Sequence, residues 1–272
     1  MLDKPVFNFK ITMTTISIIT ICFNNLQETV ATCRSVDMQQ NKPFEHIIID
    51  GSETPEIKNY LEQNTQPAYR KWVCEPDRGI ADAFNKGLRL ANGNIVVMLN
   101  SGDTLIDQFV IATVTKVFEE DTSLQWVHSK YQLIRGDRLV TIGKPFVKSK
   151  LYRGMRSICH QTMFVKKALH DKYGMYDINE KIGMDYDFLC RIAGEPFTFI
   201  HSTLVNFAPA GTSSVHYLQA LKDARRIYEK YYGKNFKLLL WQIRLKFLFY
   251  LLRSPVGNLL YTIKTKLKLE NM

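Results

Sequence analysis

The sequence predicts an α/β protein: a single Rossmann-like, mostly parallel sheet flanked by helices, with a C-terminal helical extension. Apolar runs alternate with helical patterns through the first half, which is the arrangement of βαβ units. The run Ile95–Leu99 is short, apolar and β-rich, as a strand covered on both faces must be. The polar turn Asn100-Ser101-Gly102-Asp103 follows at once, and so emerges at the carboxyl end of that strand, where open α/β sheets bind ligands.

Four strands are expected in the first half, at Ile16–Cys22, His46–Asp50, Lys71–Glu75 and Ile95–Leu99. Helices are expected between them, from Leu26 to Met38, Pro55 to Gln63 and Gly79 to Leu90. The third puts Ile80, Phe84, Leu88 and Ala91 on one face, with Asp77 as N-cap and Asn92-Gly93 as the C-cap pair. A helix from Phe109 to Phe118 precedes a hairpin, in which Trp126–Ile134 and Arg138–Ile142 flank Gly136-Asp137. The second half is mixed: a strand at Thr162–Val165, a helix from Asp185 to Ala193, a strand at Phe197–Ser202 and a helix from His216 to Tyr231. The expected divisions are a leader at 1–14, a body at 15–232 and a basic extension at 233–272.

A chain of 272 residues with 46% apolar side chains can bury a full core. Its five cysteines are odd in number, widely spaced and without a C-x-x-C pair, so neither a disulfide framework nor a zinc site is expected. No signal peptide is read at the N-terminus, and a reducing compartment follows. From Lys234 onward, eight basic residues face the single acid Glu270, so +7 of the net +10 lies in the extension. The residues between them, such as Leu238–Trp241 and Phe247–Leu252, are too apolar for a solvated nucleic-acid arm. An anionic membrane surface is the expected partner, with packing on the body or on another protein as the alternative. Arg244, Lys246 and Arg253 interrupt the apolar run, so a spanning helix is not expected. Beyond Pro255, the residues Val256, Leu259, Leu260, Ile263 and Leu267 recur at helical spacing, apart from Lys264, Lys266 and Lys268.

Mg²⁺ and similar hard cations take one or two protein carboxylates and complete their shell with substrate phosphate and water. Asp103 is a candidate for such a carboxylate, or else a turn residue or helix cap.

Four segments together resemble the inverting family 2 glycosyltransferases of the GT-A fold. They are Ser17–Asn25, His46–Ser52, Glu75–Gly87 with Leu99–Asp103, and Gly183-Met-Asp-Tyr-Asp187. The string Glu75-Pro-Asp-Arg-Gly-Ile-Ala-Asp-Ala-Phe-Asn-Lys-Gly87 is most similar to bacterial exopolysaccharide transferases of the colanic-acid type.

The resemblance implies a nucleotide-sugar donor, UDP-linked, held by Thr20, Cys22, Phe23, Asn24, Asp50, Gly51, Asp77, Arg78, Gly79, Asn85, Lys86, Asn100, Ser101 and Gly102. It implies Asp103 as the ligand of Mn²⁺ or Mg²⁺, and His160 and Gln161 beside the acceptor or diphosphate. Thr212 and Ser213 would belong to a lid over the donor. Asp185 would be the general base that takes the acceptor hydroxyl's proton, its alternative being a helix cap, with Asp187 structural or orienting. The family's usual Asp-x-Asp-Asp is reduced here to one carboxylate, so either one suffices or the chain is a non-catalytic binder of nucleotide-sugar or glycan. A nucleotidyltransferase would carry a Gly-rich basic loop after the first strand, and Thr20–Leu26 has neither glycine nor lysine. The expected acceptor is a lipid-linked or growing saccharide. The expected setting is the cytoplasmic face of a bacterial membrane, with peripheral attachment, during surface polysaccharide synthesis.

Overall fold

The computed structural model describes residues 13–255 and 257, apart from 137, 157 and 209–215. The first half alternates strand and helix: β1 (Ile16–Cys22), α1 (Leu26–Asp37), β2 (Glu45–Asp50), α2 (Glu56–Gln63), β3 (Arg70–Cys74), α3 (Ile80–Leu90) and β4 (Ile95–Met98). Then come β5 (Thr104–Leu105), α4 (Val110–Glu120) and the hairpin β6 (Trp126–Arg135) and β7 (Arg138–Ile142). The rest is β8 (Phe164–Lys166), α5 (Lys167–Tyr173), α6 (Met184–Ile192), β9 (Phe197–Asn206), α7 (Tyr217–Tyr232) and α8 (Phe236–Leu252). Two 3₁₀ turns, Lys148–Arg153 and His160–Thr162, lie between β7 and β8.

All the strands join one sheet in the order β3-β2-β1-β4-β8-β6-β9-β5, with β7 paired to β6. The β3-β2-β1-β4 half is parallel throughout. Beyond β4 the sheet turns mixed: only β6–β9 is parallel, and β4–β8, β6–β8, β6–β7 and β5–β9 are antiparallel. Successive residues of a strand face opposite sides. Ile19 accordingly joins Ile47, Phe84 and Leu88 in the core beneath α3 and α6. Ile16 and Ile18 join Val97, Val114 and Phe118 in the core beneath α4. Burial on both faces is why β1 and β2 read as unbroken apolar runs.

Strand β2 nonetheless buries polar groups at His46, Asp50 and Glu45, of which Glu45 is 1% exposed. Its Oε1 accepts from Ser17 Oγ at 2.7 Å and from the Asn92 and Gly93 amides at 2.5 and 3.3 Å, and its Oε2 accepts from Lys71 Nζ at 2.8 Å. Burial works against ionisation, but the Asn92 amide, Lys71 and Ser17 together hold the carboxyl down at about 2. This also corrects the expected end of the third helix. Ala91 turns extended (ψ 129°), and Asn92-Gly93 donate to Glu45 instead of forming a left-handed cap. The expected strand at Thr162–Val165 begins only at Phe164, because Thr162 Oγ1 donates to the Cys159 carbonyl and closes a 3₁₀ turn.

In the extension, Asn235 caps α8 by accepting from the Lys237 amide at 2.8 Å. Leu238, Gln242 and Leu245 face the body. Helical periodicity puts the exposed Phe236, Leu240, Ile243, Phe247 and Tyr250 on one outward stripe. Exposed Lys237 and Arg244 lie along one side of that stripe, and Lys246 and Arg253 along the other. Among the described residues no helix is long and apolar enough to cross a membrane. The amphipathic pattern read at 256–268 falls outside the described residues except for 257.

Candidate active site

The carboxyl ends of β1 to β4 and the turns after them meet along one edge. The Gly51 amide donates to the Cys22 carbonyl, Glu75 to Asp50 and Ser101 to Ile21, at 3.0–3.1 Å. Asn24 takes a left-handed φ of 52°, which asparagine tolerates better than most residues. Its amide donates to Ser52 Oγ at 2.8 Å, and its Oδ1 accepts from the Glu53 amide at 3.1 Å. Phe23, 56% exposed, stands free on this edge. Asp50 is buried at the strand end and accepts from the Ser52 amide at 3.0 Å. Ser52, which no motif singled out, thus ties two strand ends together. The short Asp-Gly-Ser turn was its signal.

Gly51 is required by close approach: a Cβ there would lie 2.0 Å from Asp77 Oδ2. Asp77 Oδ1 accepts from the Gly79 amide at 2.8 Å, and Gly79 has a φ of 110° that favours glycine. Asp77 therefore shapes the turn before α3, and the N-cap position itself is Gly79. The Arg78 side chain is 72% exposed at this helix start, with Asp82 3.2 Å from its Nη2.

Several residues expected to touch the donor have other partners. Thr20 is fully buried, with Oγ1 2.9 Å from His46 Nε2. Cys22 is 4% exposed, its Sγ donates to the Ile49 carbonyl at 3.5 Å, and burial pushes its thiol well up. Asn85 clamps the backbone of Tyr176, donating to its carbonyl at 2.8 Å and accepting from its amide at 3.0 Å. Lys86 Nζ donates to the Pro76 carbonyl at 2.6 Å and pairs with Glu75 at 2.9 Å, bracing the turn that Arg78 and Gly79 belong to. Ser101 Oγ lies 2.9 Å from Thr29 Oγ1.

The two expected ends of the site meet through residues 160 and 161. Asn100 Nδ2 lies 3.2 Å from His160 Nε2. Nδ1 lies 3.4 Å from Asp185 Oδ2. Asp185 Oδ1 accepts from the Tyr186 amide at 2.8 Å, and its side chain is 26% exposed. It sits in the first turn of α6, whose N-cap is Gly183. Asp187 is 1% exposed and accepts from Arg191, Lys230 and Tyr231, tying α6 to α7.

Gln161 is buried, donates from Nε2 to Asp103 Oδ2 at 2.7 Å and accepts from Cys159 Sγ at 2.5 Å, so it does not face an acceptor. Asp103 is 2% exposed, and its Oδ1 accepts from the Ala208 amide at 2.8 Å. Burial pushes its carboxyl up, against the Ala208 and Gln161 hydrogen bonds. The carboxylate expected to hold a cation thus faces inward in this structure, each of its oxygens accepting one hydrogen bond, from Gln161 and from the Ala208 amide. Thr212 and Ser213 lie outside the described residues.

An α/β sheet that gathers four strand-end turns beside a partly exposed carboxylate offers one edge at which a ligand can bind. The chain belongs to glycosyl transferase family 2, whose model matches residues 17–174. It is 33% identical to the uncharacterized glycosyltransferase Rv1514c of Mycobacterium tuberculosis over 205 residues, which are 74% of this chain and 77% of that one. The S. aureus TarS 1–349 structure in complex with UDP-GlcNAc superposes with a TM-score of 0.61 at 13% identity, covering 81% of this chain and 68% of that one. The mannosyltransferase PcManGT of Pyrobaculum calidifontis, in complex with GDP-Man and Mn²⁺, gives 0.60 at 17% identity, covering 94% and 81%. At such identities the two structures speak for the fold alone.

Proposed function

We propose that the chain transfers one sugar, with inversion, from a UDP-linked donor to a lipid-linked or growing saccharide. The setting is bacterial surface polysaccharide synthesis at the cytoplasmic membrane face. The supporting observation is the file Asn100–His160–Asp185, which aims a partly exposed carboxylate toward the edge where the nucleotide-binding turns end. The donor lies over Phe23, Asn24, Asp50 and Gly51, with its diphosphate at the start of α3. Arg78 and the first helical N–H groups favour negative charge there. Asp185 accepts the acceptor hydroxyl's proton as the oxygen attacks the anomeric carbon and the nucleoside diphosphate leaves from the opposite face. His160 orients that carboxylate. Asp103, which the resemblance implies as the ligand of Mn²⁺ or Mg²⁺, would supply the one protein carboxylate to such an ion, whose charge would offset that of the leaving diphosphate. The colanic-acid-type likeness of the 75–87 string and the contact of α8 with an anionic membrane belong to this proposal.

Release of nucleoside diphosphate from UDP-, GDP- and dTDP-sugars, with acceptor lipids present, tests the reading. No release from any pair would favour a non-catalytic binder.

Two variants probe the roles more closely. His160→Asn is expected to lower kcat about tenfold while leaving the donor KM in place, since it loosens the base without touching the nucleotide, a loss of about 1.4 kcal/mol. Gly51→Ala is expected to do the reverse. Displacing Asp77 disturbs the turn at 77–79, and donor affinity measured by calorimetry should fall about tenfold.

A further inference from the structure

A second concavity lies away from the nucleotide edge, between β7, the 3₁₀ turn Lys148–Arg153 and α8, with a volume of about 510 Å³. Lys144, Lys150, Arg153 and Arg156 line it, together with Trp241 of α8. The guanidinium carbons of Arg153 and Arg156 stand 5.2 and 5.4 Å from the Trp241 ring centre, and that of Arg244 stands at 5.3 Å. Among the described residues none of these five cations meets a carboxylate. That contrasts with the buried or half-buried acids of this chain, such as Glu45, Asp187 and Glu180, each of which holds a basic partner.

Among the described residues the Trp241 Nε1–H has no acceptor, and indole, a donor only, can serve an acceptor-rich anion. Arginine forks suit phosphate oxygens, while the Trp241 face, Leu151 and Ile158 suit a hydrocarbon or ring beside them.

Position narrows the ligand further. Trp241 stands on α8 between its buried face and the flank that carries Lys237 and Arg244, about 140° round the helix from the outward apolar stripe. The pocket's lining is tied to the segments of the base through the chain and one hydrogen bond. Arg156 precedes His160 by four residues, and the Leu151 carbonyl accepts from the hydroxyl of Tyr186, the neighbour of Asp185, at 2.7 Å. None of the donor-side turns contributes to it.

We propose that this pocket binds the phosphate or diphosphate headgroup of a lipid-linked acceptor. The assignment rests on the reading of the acceptor as lipid-linked. Arg153, Arg156 and the Trp241 N–H hold the headgroup oxygens, the lipid chain leaves along α8, and the acceptor sugar extends toward Asp185.

The test uses the whole protein and phosphatidylcholine vesicles carrying either polyprenyl diphosphate or phosphatidylglycerol at matched surface charge. The polyprenyl diphosphate vesicles are expected to bind about tenfold or more tightly, as charge-assisted hydrogen bonds allow. Arg153→Ala with Arg156→Ala, both exposed positions, should abolish that preference and keep the phosphatidylglycerol binding contributed by α8. Trp241→Phe should weaken the preference and remove the fluorescence change that accompanies it. Equal binding to both vesicles, or a preference that survives the double substitution, would overturn the proposal. Inorganic pyrophosphate binding as tightly as the vesicle-borne form would overturn it too, by giving the pocket to a free anion. No donor or turnover enters the measurement. Specific lipid binding by a chain that releases no nucleotide from any nucleotide-sugar would sink the transferase reading and leave the pocket standing.

Discussion

Asp185→Asn should lower turnover by about 10²–10⁴-fold, the range over which positioned general bases act. The substitution keeps the size of the side chain and an oxygen to accept from the Tyr186 amide, so α6 keeps its first turn. What it removes is the proton acceptor for the incoming hydroxyl. Donor affinity is expected to stay within about twofold, less than about 0.5 kcal/mol, because none of the nucleotide-side turns touches Asp185. Steady-state release of nucleoside diphosphate, paired with calorimetric donor binding, separates the two quantities. Near-normal turnover in this variant would remove the base assignment. A parallel loss of donor affinity would reassign Asp185 to the donor.

The largest effect on stability is expected at Glu45. Glu45→Ala strips the acceptor from Ser17 Oγ and from the Asn92 amide, while the Gly93 amide keeps Ser17 Oγ at 2.9 Å, and it leaves Lys71, more than half exposed, to solvent. Unpaired buried donors cost about 1–3 kcal/mol each, so a loss of about 3–5 kcal/mol is expected. For a chain of this size that lowers Tm by roughly 6–15 °C in a thermal melt.

The pH dependence has a definite sign. The Glu45 carboxyl is held below its unfolded value, so its contribution is present above pH about 4.5 and disappears as pH falls toward about 2. The deficit of Glu45→Ala relative to the parent should shrink over that window. His128 and His170, which burial holds down at about 4 and about 3, act in the same direction from higher pH. They stay neutral in the fold but charge in the unfolded chain below about 6.5, so acidification destabilises the fold from there downward.

Strands β1, β2 and β4 were legible through short isoleucine- and valine-rich runs, as two-sided burial demands. Strand β3 carries Arg70 and an exposed Lys71, and was legible from its place between two helical patterns. The helices α6 and α7 were legible as helices within a residue or so of their ends. The two-residue β5 and the single-turn elements around residue 150 were not, since two to six residues carry no period. At the site, Phe23, Asn24, Asp50, Gly51, Gly79, Asn100, His160 and Asp185 share the expected edge. Thr20, Cys22, Asn85, Gln161 and Asp103 face inward. Residue type could not separate the two groups. A polar side chain turns toward ligand or core according to a partner far along the chain, as with Asn85 of α3 and Tyr176, 91 positions apart, or Asp103 and Gln161, 58 apart. The same holds for the pocket around Trp241, whose walls come from segments about 85 residues apart in the sequence.

The grip of Asn85 on Tyr176 bears on how this enzyme could be recombined. A carboxamide satisfies an N–H and a C=O of one residue at the same time, which neither aspartate nor leucine of similar size can do. That grip joins the helix at the donor's edge to the segment leading into the helix of the base. Hybrids assembled from related transferases, with one parent supplying the first 160 or so residues and another the remainder, inherit a working seam only when both parents carry the amide and the matching backbone turn. Specificity modules on the two sides of this seam are exchangeable as a matched set.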